Sequence, residues 1–186
     1  MISADGYMAQ PMDLSGELGP LKANLIIRRA VAHDAFWSDN MPSCQCGKLC
    51  SLEAEGCKAR AWAVINDLAA PDSLTWEVYK VDSDAQPVAL VGILRLTQVR
   101  RGDDATAHFF FFDGKLRDKL ALLEAWKQTA FASIPLHRAT VEVPTYLPGL
   151  AKAAMSLGFR PEGIKREAVL YGGVRYDRLI LGLLRN

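Results

Sequence analysis

The clearest periodicity in the chain runs from Lys115 to Ser133. Leu116, Leu120, Leu123, Trp126, Ala130 and Phe131 recur at helical spacing, while Lys119, Glu124, Lys127 and Gln128 lie mostly elsewhere. This predicts an amphipathic helix, closed by Pro135. Other stretches alternate with period two. Leu74 to Val81, Arg138 to Val143, Glu167 to Tyr171 and Tyr176 to Leu184 each read as strands. Val88 to Val99 reads as a long strand broken by Gly92. Ala105 to Phe112 ends in four successive phenylalanines, Phe109 to Phe112, which predicts a central strand buried on both faces. A short helix over Leu150 to Ser156 should stop at Leu157-Gly158-Phe159, where Gly158 suits the left-handed turn that ends many helices. Arg160 to Gly163 reads as a turn. Nearer the start, Leu25-Ile26-Ile27 predicts a first strand over Asn24 to Arg29, followed by helices over Val31 to Trp37 and Ala59 to Leu68.

Residues 1–22 show no such pattern. Gly6, Pro11, Gly16, Gly19 and Pro20 punctuate scattered acids, so the segment reads as a flexible arm, either disordered or ordering on a partner through Tyr7, Met8 and Met12. One domain is then expected over residues 23–186. The chain has 186 residues, half of them hydrophobic, enough for one sizeable core. A net charge of +1 gives no sign of the clustered basic face that nucleic-acid binding needs. No apolar run reaches the length of about 18 residues that suggests a membrane span. The start lacks the basic and apolar regions of a signal peptide, so a cytoplasmic location is expected.

All four cysteines fall in one stretch, residues 41–58, with the spacing Cys44-x-Cys46-x3-Cys50-x6-Cys57. Four thiols this close could surround one ion, for which Zn²⁺ is the usual occupant, with His33 as a substitute ligand. An iron–sulfur cluster is a further alternative. The spacing is not that of paired CxxC units, and four free thiols in a loop would look the same.

The order from Arg138 onwards is strand, helix, Leu157-Gly158-Phe159, Glu162-Gly163, strand, Tyr176-Asp177, strand. It resembles the C-terminal half of the GNAT superfamily of N-acyltransferases. It is most like the subgroup that acylates protein N-termini and the GNAT-like proteins of tailed phages. The resemblance spans roughly residues 25–184. It implies an α/β (α+β) fold: one GNAT-like domain whose mixed, mostly antiparallel twisted sheet is flanked by helices, with the Cys-rich stretch at 41–58 as an insertion. It also implies acetyl-CoA as acyl donor and a primary amine as acceptor, whether a protein N-terminus, a lysine or a small amine. The cofactor's pyrophosphate would sit at Gly114, Lys115, Leu116 and Arg117, where the family's loop reads Arg/Gln-x-x-Gly-x-Gly/Ala. Here one glycine remains, and Asp113 and Asp118 add negative charge. Leu147 stands where many relatives have Asn, and Ala154 where many have the Tyr that protonates the leaving thiolate. Tyr146 could substitute for that Tyr, and Glu77 or His108, on predicted central strands, could take the amine's proton through water. Each of the three would equally serve as an ordinary packing residue. Two other readings stay open. One is a GNAT fold without catalysis that serves as a binding or assembly protein, such as a phage virion component. The other is a zinc-stapled regulator that binds protein partners through residues 1–60.

Overall fold

A computed structural model of the chain describes residues 1–15, 19–31, 66 and 68–185. The four cysteines, His33 and most of the two early helices expected from the sequence lie outside the described residues.

The chain opens on a hairpin, β1 (Ile2–Ala4) and β2 (Tyr7–Pro11). This corrects the expectation of a flexible arm. The turn is Asp5-Gly6, with φ of 50° and 77° at the two residues. Asp-Gly with both φ positive is the two-residue turn whose twist matches paired strands. Ile2, Met8 and Ala9 are buried, and β2 pairs along β3 from Tyr7↔Lys80 to Pro11↔Trp76. A second correction follows. Residues Gly19–Val31 form helix α1, not a strand. Ala23 and Ile26 are buried three residues apart while Leu25 is exposed, which is helical spacing. Pro20 falls in the first turn, where its missing N–H costs nothing.

The remaining order agrees with the sequence. Strands β3 (Leu74–Val81), β4 (Pro87–Thr97) and β5 (Asp104–Phe111) follow. A 3₁₀ turn over Leu116–Lys119 leads into α2 (Leu120–Ser133), so the predicted helix begins with one tighter turn. Then come β6 (Arg138–Pro144), α3 (Pro148–Ser156), β7 (Arg160–Tyr171) and β8 (Val174–Leu184). β7 starts at Arg160, where a turn was expected.

The eight strands form one sheet in the order β1-β2-β3-β4-β5-β6-β8-β7. Every pairing is antiparallel except β5 with β6. One face carries the main core. Val78, Leu94, Leu96, Ala107, Phe109, Val141 and Leu181 there meet Leu122, Leu123 and Trp126 of α2 and Ala154 of α3. Trp126 stands edge-on to Trp76 at 5.5 Å and to Phe109 at 5.6 Å. Lys22 of α1 reaches Glu77, whose chain neighbours Trp76 and Val78 face the core. Alternation along the strand therefore places α1 on the opposite face. After α3, Gly158 has φ +94° and Phe159 N–H donates to Ala154 O at 3.1 Å, which closes the helix and turns Phe159 into the core at 4% exposure.

Candidate functional site

The one parallel pairing makes the site. β5 and β6 pair only at Asp104↔Arg138, Ala105↔Ala139 and Thr106↔Thr140. Beyond these residues β5 continues to Phe111 and β6 to Pro144 without further pairing to each other. The wedge between them holds a cavity of about 400 Å³. One wall is residues 107–112 with Gly114 and Leu116. The other is Val141, Glu142, Pro144 and residues 146–150. The facing strand edges carry N–H and C=O groups that an extended ligand can meet as a third strand would.

The loop from β5 to α2 borders this cavity. Gly114 and Leu116 line it directly. The two aspartates that add negative charge are each ion-paired. Arg29 of α1 lies 2.5 Å from Asp113, and Arg117 Nε lies 3.3 Å from Asp118. Lys115 sits at the entry to the 3₁₀ turn, and among the described residues no acid pairs with it. Beneath the loop lies Lys119, fully buried. Its Nζ donates to Lys115 O at 3.2 Å and stands 4.9 Å from the Tyr7 ring centroid and 5.2 Å from that of Phe111. Burial pushes the Lys119 ammonium below its ordinary value, against the opposing pull of Asp118 and Asp113. A Cβ at Gly114 would stand 2.7 Å from that Nζ. The loop also turns there at φ +75°, the left-handed conformation that favours glycine.

His108 and Tyr146, both candidates from the sequence, line the cavity. The His108 ring nitrogen Nε2 lies 2.9 Å from Thr97 Oγ1, and its ring stacks on Phe110. Tyr146 stacks on Tyr171 at 4.6 Å and meets Tyr176 edge-on at 5.0 Å, with its hydroxyl oxygen buried. Glu77 is not brought to the cavity. It is 1% exposed on β3, which β4 separates from β5, and its Oε2 accepts from Gln10 and Tyr79, each at 3.2 Å, and from Lys22 at 3.4 Å. Burial, and then the Glu77 charge and hydrogen bond, push the Tyr79 phenol up to about 12, so Tyr79 stays a donor. Lys115 and Arg117 are exposed and outside the cavity wall, at its rim. Leu147 stands at the entry to α3 and lines the cavity, and Ala154 is buried in the core.

Sequence reasoning passed over Glu142. It lines the cavity and holds two cations, Lys165 Nζ and Arg178 Nη1, the second at 3.2 Å. In the sequence it reads only as the polar half of an alternating strand. Among the described residues, no three His, Cys, Asp or Glu side chains gather as a metal site. No described helix is long and apolar enough to cross a membrane.

No family model and no curated protein matches the sequence. Solved structures do share the fold. A probable GNAT-family acetyltransferase from Chromobacterium violaceum superposes with a TM-score of 0.68 at 20% identity, over 98% of this chain and 85% of that one. A variant of the spermidine N-acetyltransferase of Vibrio cholerae gives 0.70 at 13% identity, over 97% and 95%. The same enzyme in complex with CoA and spermine gives 0.67 at 15% identity, over 97% and 96%. The chain therefore has the fold of the GNAT acetyltransferases.

Proposed function

We propose that this protein is an acyl-CoA-dependent N-acyltransferase acting on a primary amine. The observation that carries the reading is the wedge between β5 and β6, whose cavity opens beside the head of α2. An acyl-pantetheine arm would lie in the wedge and bond to the separated strand edges. The pyrophosphate would rest on the backbone N–H groups at Gly114, Lys115, Leu116 and Arg117, with the Lys115 side chain supplying positive charge. Pairing of Asp113 with Arg29 and of Asp118 with Arg117 offsets the negative charge that would otherwise repel phosphate there. The same fold in a spermidine N-acetyltransferase with CoA and spermine is consistent with this reading.

In this reading the neutral amine attacks the thioester carbonyl. The C–N bond forms, the C–S bond breaks and the thiolate leaves. His108 receives the amine's proton through water, and Tyr146 gives a proton to the thiolate. Glu77 of β3, held by Gln10, Tyr79 and Lys22, is assigned a structural role. The acceptors that the resemblance implies, protein N-termini, lysine and small amines, all present the nitrogen this chemistry needs. Acetyl-CoA should raise the melting temperature, since a ligand that binds only the native state adds about 2.7 kcal/mol at a hundredfold excess over Kd. Free thiol should then be released when an amine is added, and Tyr146→Phe should slow that release without weakening CoA binding. No thermal shift at millimolar acetyl-CoA would refute the reading and favour the non-catalytic binding or assembly protein.

A further inference from the structure

Glu142 and His108 are each two residues past the last paired position of the wedge, Thr106↔Thr140. Paired residues of a parallel ladder share a face, so both side chains lie on one face at the narrow end of the cavity they line. Glu142 is held from two sides. Arg178 is only 16% exposed and belongs to β8 in the body of the sheet. Lys165 is 51% exposed and reaches in from the edge strand β7. The cavity carboxylate thus already carries an alkylammonium, supplied by the chain itself through a side chain free to swing into solvent.

We propose that Glu142 is the subsite for a second, non-reacting cation of the amine acceptor, and that Lys165 is its internal stand-in, displaced when the acceptor binds. The proposal rests on the acyltransfer reading and gives it a substrate class: amines with two positive charges. The chemistry requires the second charge. Burial alone would raise the Glu142 carboxyl. The hydrogen bonds and charges of Lys165 and Arg178 outweigh burial and hold it below the ordinary carboxylate value, so it stays ionised. An ionised carboxylate favours the protonated form of any amine it touches, and a protonated amine cannot attack a thioester. The nitrogen bound at Glu142 is therefore not the nucleophile. It anchors a molecule whose other, neutral nitrogen reacts.

The test compares 1,5-diaminopentane with pentylamine, which has the same chain and one charge. Wild-type protein should take the diamine with the lower KM. Glu142→Gln should lose that preference by about fivefold, mostly in KM, which is the range for one partly exposed charge pair. Lys165→Met, which removes the competing ammonium from Glu142, should lower KM for the diamine more than for pentylamine. Calorimetric titration of the diamine into CoA-saturated protein gives the same comparison without turnover. Acetyl-CoA melting shifts on all three proteins establish that each is folded and binds the donor. If wild-type protein does not bind acetyl-CoA, the acyltransfer reading falls and the subsite with it. If donor binding is intact and the diamine preference is the same in all three proteins, only the subsite is overturned.

Discussion

Lys119 offers a test in which large opposing effects nearly cancel. Among the described residues it is the largest fully buried side chain. Its ammonium makes one charge-assisted hydrogen bond, to Lys115 O, of a kind that contributes about 1.5–3 kcal/mol. The Tyr7 and Phe111 rings each add a cation–π contact of about 0.5–2 kcal/mol. Against these stands the penalty for taking an ion out of water, still several kcal/mol in real proteins. Methionine at this position has similar reach and no such penalty. Its sulfur would keep about 0.3–1.5 kcal/mol with each ring. Lys115 O would not be orphaned, because it also accepts from Asp118 N–H at 3.1 Å. Lys119→Met should therefore leave stability unchanged or raise it by about 1–2 kcal/mol, within that balance. Lys119→Ala should lose about 2–4 kcal/mol, because it leaves a cavity beneath the loop. Urea unfolding of the three proteins at pH 7 measures this. The pH dependence has a definite sign. The folded-state pKa of Lys119 lies below the ordinary 10.5, so between those values the unfolded chain binds more protons. The contribution of this group to wild-type stability is absent at neutral pH, grows as pH rises through the folded value and is complete above 10.5. The difference between wild type and Lys119→Met should thus move in favour of wild type as pH rises from 7 towards 10. A methionine variant that loses more than about 2 kcal/mol at pH 7 would refute the balance, and an ammonium that stabilises outright would be the conclusion.

Phe159→Ala should lose about 3–5 kcal/mol, a large part of a domain's usual total, and Gly158→Val should also destabilise because a β-branched residue is a poor fit at φ +94°. Chemical denaturation checks both, and a fully stable Phe159→Ala would contradict the packing of this corner. If Cys44, Cys46, Cys50 and Cys57 hold an ion, as their spacing allows, protein purified without chelator should carry about one zinc per chain. Elemental analysis showing no metal would end that proposal.

The sequence was most informative where one pattern has one solution. Phe109 to Phe112 signalled a central strand, whose core face is buried and whose other face is half-buried, and Leu157-Gly158-Phe159 signalled the helix end observed at Gly158. It was least informative at the start of the chain. Asp5-Gly6 is a strong hairpin signal, but the prolines and glycines around it also fit a linker. Leu25-Ile26-Ile27 is too short a run to separate period two from 3.6, and burial of Ala23 with Ile26 decides it. The candidate site depended on something no local pattern records, namely that β5 and β6 stop pairing after Thr106 and Thr140. That register converts the polar face of an ordinary strand, at His108 and Glu142, into a cavity wall. Glu77, which has the same strand pattern, falls two strands away and outside it.

The N-terminal hairpin also sets an order of events during synthesis. β2 is the first strand-forming segment after the turn, yet its partner β3 ends at Val81, and α2, which packs against β1, ends at Ser133. At about 5–20 residues per second, the ribosome delivers α2 roughly 6–25 seconds after the hairpin. Until then Ile2 and Ala9, which end in the core, lack the cover of α2. The hairpin is therefore made well before the helix that covers it, and the apolar side of β1 and β2 stays open to solvent until α2 arrives.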